Sequence, residues 1–153
     1  MRANYVKCMA AIGVASAVFG ACAARAANIA ADAYAWSENG GWINFAPLSG
    51  PGITVADSRL TGFAWSENFG WIDLAPVGAG VSNDLGRLSG YAWGENAGWI
   101  NFAPPIGGVS IAVSGQFTGW AWGENIGWVT FVTQSPVVTT WPESDVIFAD
   151  DFD

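Results

Sequence analysis

YAWSENGGWINF (34–45) is the stretch on which the reading of this chain turns. Aromatic and β-branched residues flank a centre of Ser, Glu, Asn and Gly. Near-copies follow as FAWSENFGWIDL (63–74), YAWGENAGWINF (91–102) and WAWGENIGWVTF (120–131). The first tryptophans stand at 36, 65, 93 and 122 and the second at 42, 71, 99 and 128, so the period is 29, 28 and 29 residues. A unit of this length is one supersecondary element that buries its apolar face against its neighbours. YAW and GWINF read as strands, and SEN or GEN followed by x-Gly reads as the loop between them, so each copy is a β-hairpin. The recurrent Gly41, Gly70, Gly98 and Gly127 suit a loop-closing position with positive φ. Asn39, Asn68, Asn96 and Asn125 fit the turn, where Asn bonds local backbone and tolerates unusual dihedrals. The frequency of Gly and β-branched residues argues against helix.

Alternation along a strand makes register decide which tryptophan faces inward. A four-residue loop, Glu38 to Gly41, pairs Ser37 with Trp42 and Trp36 with Ile43. Tyr34, Trp36, Ile43 and Phe45 then form a core face, and Trp42 lies over the small residues at 35 and 37. A longer loop pairs Trp36 with Trp42 instead, a favourable cross-strand aromatic pair. The first register accounts for the small residues and is the preferred one. Beyond Ala26 the chain holds 24 Leu, Ile and Val residues against 20 aromatics. Aliphatics alone would make a thin core, so many tryptophans are expected inside.

Between the hairpins lie extended pieces at 52–55, 81–83 and 108–113, and three copies are led by LTG (60–62), LSG (88–90) or FTG (117–119). Each repeat is therefore expected to be a three-stranded meander. The first copy lacks such a strand upstream, whereas 136–141 follows the last and could complete it. The expected fold is all-β: four repeats of about 29 residues closed into a barrel- or propeller-like ring, with an open stack as the competing arrangement.

These positions resemble Trp-rich repeats of the form G-[YFW]-A-W-[SG]-x-N-x-G-W-[IV]-x-[FL], found in bacterial proteins predicted to be exported. The resemblance covers roughly Ala33 to Phe131 and implies an architecture and an exported location, with no established activity attached. The ending DVIFADDFD (145–153) resembles the IFADGFE-type endings of some exported bacterial proteins, with Asp151 where that pattern has Gly.

Export agrees with the N-terminus. Arg2 and Lys7 precede an apolar run of small residues, and Ala24-Arg25-Ala26 is an A-x-A cleavage pattern. The expected organisation is a signal peptide at 1–26, a four-repeat domain at 27–141 and an acidic tail at 142–153. Phe19-Gly20-Ala21-Cys22 resembles a lipoprotein box, but an aliphatic residue normally stands where Phe19 is, so lipid anchoring at Cys22 ranks second. Cleavage removes both cysteines and leaves Arg59 and Arg87 against 13 acids, a net charge near −11. Such a chain repels nucleic acid and anionic lipid. No transmembrane segment is expected in the mature chain; glycans and other surface proteins are the expected partners. Self-association through an open edge strand is a further expectation.

Histidine is absent, which excludes Ser-His-acid and Cys-His catalysis and His-based metal sites. Glu38, Glu67, Glu95 and Glu124 recur, yet an active site is one unlike constellation rather than four equivalent tips. The chain is read as a non-enzyme without a cofactor. Asp57, Asp84 and the Glu-Asn tips offer oxygen to calcium, but no calcium-loop spacing is present, and solubilising loops explain them better. A structural or adhesive role at the cell surface is the first expectation. The alternative is a carbohydrate-binding module using Trp42, Trp71, Trp99 and Trp128, with Asn44, Asp73, Asn101 and Thr130 as polar neighbours.

Overall fold

The computed structural model describes residues 26–141. The proposed signal peptide up to residue 25, Cys22 within it, and the acidic tail lie outside them. Twelve strands and no helix make up the described chain. In order they are β1 (Ala26–Asn28), β2 (Tyr34–Ser37), β3 (Gly41–Asn44), β4 (Ile53–Ala56), β5 (Leu60–Ser66), β6 (Gly70–Asp73), β7 (Gly80–Asp84), β8 (Arg87–Gly94), β9 (Gly98–Asn101), β10 (Gly108–Ile111), β11 (Phe117–Gly123) and β12 (Gly127–Thr130). All pairings are antiparallel.

The four repeat hairpins are β2–β3, β5–β6, β8–β9 and β11–β12, and each pairs with the next. The last strand then pairs with the first, Val129 opposite Ser37 and Thr130 opposite Trp36. Eight strands thus form a closed barrel, and the open stack is excluded. The expected meanders are present too, since β4, β7 and β10 pair with the leading halves of β5, β8 and β11. Those outer strands, β1 and residues 137–139 make a second tier. Its bonds also run round the axis, through Arg59–Ser82, Ser110–Arg87, Gln116–Val138 and Ile29–Thr139. The segment after the last repeat therefore closes this tier.

The lead glycines sit where a strand passes from one tier to the other. Gly62, Gly90 and Gly119 have φ between +90° and +102°. A Cβ on them would overlap the carbonyl oxygens of Gly52, Gly80 and Gly108 respectively. Only glycine lets the strands cross there.

The hairpin register corrects the preferred expectation. Trp36 pairs with Trp42, Trp65 with Trp71, Trp93 with Trp99 and Trp122 with Trp128. Ala35, Ser37, Ile43 and Phe45 face inward, and Tyr34, Trp36, Trp42 and Asn44 face outward. An eight-stranded barrel has an interior just wide enough for side chains to fill, so one large residue must face a small one. Small residues at 35 and 37 meet that need, whereas an inward tryptophan on four strands would not fit. The expectation that many tryptophans are core is overturned with it.

The core is built of Ile, Leu, Val, Ala and Phe, joined by Trp141. Phe131 is its hub, with Phe45, Phe117 and Phe102 at centroid distances of 5.3, 5.8 and 5.9 Å. The remaining central void, among Ile43, Phe45, Ile72, Leu74, Ile100, Phe102, Val129 and their neighbours, is only about 10 Å³. That is at the lower limit for one water, so the barrel is a packed core rather than a ligand chamber.

The loop tips fold over and plug one end. Ile126 and Ala97 are buried there, and Phe69 packs against the core. Gly123 and Gly94 make room for Ile126 and Ala97, while a Cβ on Gly40 would meet the Phe69 ring at 2.9 Å. In the first copy Gly40 leaves its space to the Phe69 ring, and Ser37 ties the tip down. Its Oγ donates to the Ile126 carbonyl at 2.6 Å and accepts from the Gly40 N–H at 2.9 Å.

Candidate functional site

With the interior filled, the outer face is what remains for recognition. Its feature is a belt of aromatic rings round the hairpin tier. Seven of the eight repeat tryptophans are 36–52 % exposed, and Trp128 is half-buried. Each hairpin carries the same triplet. Its two tryptophans meet at centroid distances of 4.8–5.0 Å, tilted by 56–73°. A third ring, Tyr34, Phe63, Tyr91 or Trp120, stands edge-on to the second tryptophan at 6.1–6.4 Å. Edge-to-face geometry of this kind contributes about 0.5–1.5 kcal/mol per pair beyond area burial, and it fixes the ring planes.

The sequence reading placed only Trp42, Trp71, Trp99 and Trp128 on this face. The first tryptophans, Trp36, Trp65, Trp93 and Trp122, and the third rings join them. What hid them was the register: a shift of one residue turns the whole first strand over.

Neighbouring hairpins meet in grooves. Across each seam the residue after the Trp-Ile/Val pair lies opposite the next first tryptophan: Asn44 with Trp65, Asp73 with Trp93, Asn101 with Trp122, Thr130 with Trp36. One open groove of about 510 Å³ is lined by Tyr91, Trp99 and Asn101 of one hairpin and Trp122 and Glu124 of the next. Its counterpart of about 460 Å³ is lined by Tyr34, Trp42, Asn44, Trp65 and Glu67. Both fall in the size range of small-ligand sites.

The polar residues have defined tasks. Asn44, Asp73 and Asn101 each accept, through Oδ1, the N–H two residues on, at 2.8–2.9 Å, and Thr130 does so through Oγ1 at 3.1 Å. These bonds turn the chain out of the hairpin, as Asx turns do. They occupy one acceptor and leave the Asn101 amide nitrogen without a bond among the described residues. The turn asparagines act between copies rather than locally. Asn68, Asn96 and Asn125 donate from Nδ2 to carbonyls of the preceding tip, at Gly40, Phe69 and Asn96. Glu124 and Glu38 likewise reach back, accepting the Trp99 and Trp128 N–H groups at 3.0 and 2.9 Å. The turn glycines have φ of +72° to +81°, as expected.

Asp57, weighed above as a calcium ligand, accepts the Trp141 indole N–H at 2.7 Å. Among the described residues no three Asp or Glu side chains gather where they could hold a metal ion. No helix among them is long and apolar enough to cross a membrane. No family model, curated protein or solved structure matches the chain.

Proposed function

We propose that this protein is an exported carbohydrate-binding module whose ligands lie in the aromatic grooves between neighbouring hairpins. The observation that carries the reading is the outward belt of fixed tryptophans over a core that does not need them. Contiguous exposed apolar surface is costly in solution and marks an interaction site. A pyranose presents a face of C–H groups that stacks on an indole, while its hydroxyls need donors and acceptors at the rim. Asn101, Asn44 and the glutamates supply these in each groove. The ring pairs hold the platforms in place before a ligand arrives, which lowers the entropy lost on binding. Open grooves suit a chain ligand better than an enclosed small molecule.

An adhesive role is supported by a separate observation. Leu48 and Val77, at matching positions after the Ala-Pro pair, are fully exposed, and Ile106 is nearly so. A ring of apolar loop tips beside the grooves fits contact with a surface. Sugar binding would give that contact its specificity.

The test is intrinsic tryptophan fluorescence, first with acrylamide and then with cello-, chito-, manno- and xylo-oligosaccharides. Ready quenching that one oligosaccharide suppresses is the expected result. Emission indifferent to every sugar, with no retention on insoluble polysaccharide, would overturn the reading.

A further inference from the structure

The grooves hold more than platforms for a neutral sugar. Each of the two measured ones gathers three aromatic rings from two hairpins and one carboxylate from the second: Tyr34, Trp42, Trp65 and Glu67, or Tyr91, Trp99, Trp122 and Glu124. Glu124 spends Oε2 on the Trp99 N–H and keeps Oε1. Glu67 and Glu95 make no hydrogen bond or ion pair within the described residues. Backbone support therefore accounts for the glutamates at 38 and 124 but not for those at 67 and 95.

Charge placement adds a second argument. Arg59 and Arg87 are the cations among the described residues, and both sit on the second tier, bridged to Ser82 and Ser110. Among the described residues nothing positive lines the two grooves, while Glu67 and Glu124 do. Ring faces carry a negative quadrupole and attract cations, most strongly when the ring is indole. A carboxylate beside three such faces creates a site for an organic ammonium group and repels uronate or sulfate.

We infer that the grooves select glycans bearing protonated free amino groups, of the polyglucosamine type. The sugar ring stacks on an indole, and its ammonium group lies against the adjacent faces and the groove glutamate. This rests on the carbohydrate-binding reading and narrows it.

The experiment is a fluorescence or calorimetric titration of the full chain with four oligosaccharides of equal length: β-linked glucosamine, its N-acetylated form, β-linked glucose and galacturonate. The glucosamine oligomer is expected to bind about tenfold tighter than the others, from cation–π contacts with more than one ring of an open groove. Salt and Glu67→Gln should both shrink that preference. Trp99→Ala and Trp42→Ala should weaken binding itself. Equal or tighter binding of the glucose oligomer would overturn the inference and leave the carbohydrate reading standing. If no oligosaccharide bound, that reading would fall as well. Spermidine is the control: if it bound as tightly and the Trp→Ala changes affected neither ligand, bulk charge alone would be at work, and the selection would be refuted.

Discussion

The inner and outer faces of the hairpin tier are both rich in large apolar side chains, and they do opposite things. Inside, Ile43, Phe45, Ile72, Leu74, Ile100, Phe102, Val129 and Phe131 interlock with a void of about 10 Å³ between them. Outside, eight tryptophans, Trp120 among them and Trp128 not, keep a third to a half of their surface in water. The inner set is closed to ligands and holds the barrel together. The outer set is fixed by ring pairs but open to water. Apolar character therefore says little here about role; the side of the strand decides it.

The inner face carries the largest expected effect. Phe131→Ala removes the hub ring that meets Phe45, Phe102 and Phe117, and should cost about 3–5 kcal/mol in a denaturant melt. At the plugged end, Ser37→Ala leaves the Gly40 N–H without its buried partner, while the Ile126 carbonyl keeps the Asn39 N–H. A loss of about 1–3 kcal/mol is expected there by the same measurement. Trp99→Ala should cost the least, about 1 kcal/mol for ring pairs that stand half in water, well short of the loss at Phe131, while removing binding in its groove. A loss at Trp99 as large as that at Phe131 would erase the distinction between the faces.

Much of this architecture was legible in the chain. The period of the copies, the turn glycines and the lead glycines carried the hairpins, the third strand of each repeat and ring closure as one of two arrangements. Closure itself depends on Thr130 reaching Trp36 across the whole chain, and no local pattern encodes that. The register was not legible because both pairings put aromatic residues on alternate positions. The preferred one set Trp36 inside on the general rule that large apolar residues seek the core. A signal was present at Ala35 and Ser37, small in every copy, but it fits a floor beneath a tryptophan as well as a narrow interior. Only the limited radius of eight strands separates the two. Of the site, Trp42, Trp71, Trp99 and Trp128 were legible as an outward set. The partners brought by the next hairpin, such as Glu67 beside Trp42, were not, because they come from seams between copies.

The seam where β12 meets β2 also fixes how this protein can change over generations. An open array of repeats can gain or lose a unit by duplication or deletion, since each copy touches only its neighbours. A closed ring cannot. Deleting one copy here would leave six strands, whose radius no longer suits residues as large as Phe45, Phe102 and Phe131; adding one would hollow the centre. With this core, length is thus tied to four copies, and the outer surface changes by substitution within them. Each copy can vary its outward residues independently, as Asn44, Asp73, Asn101 and Thr130 already do at one shared position.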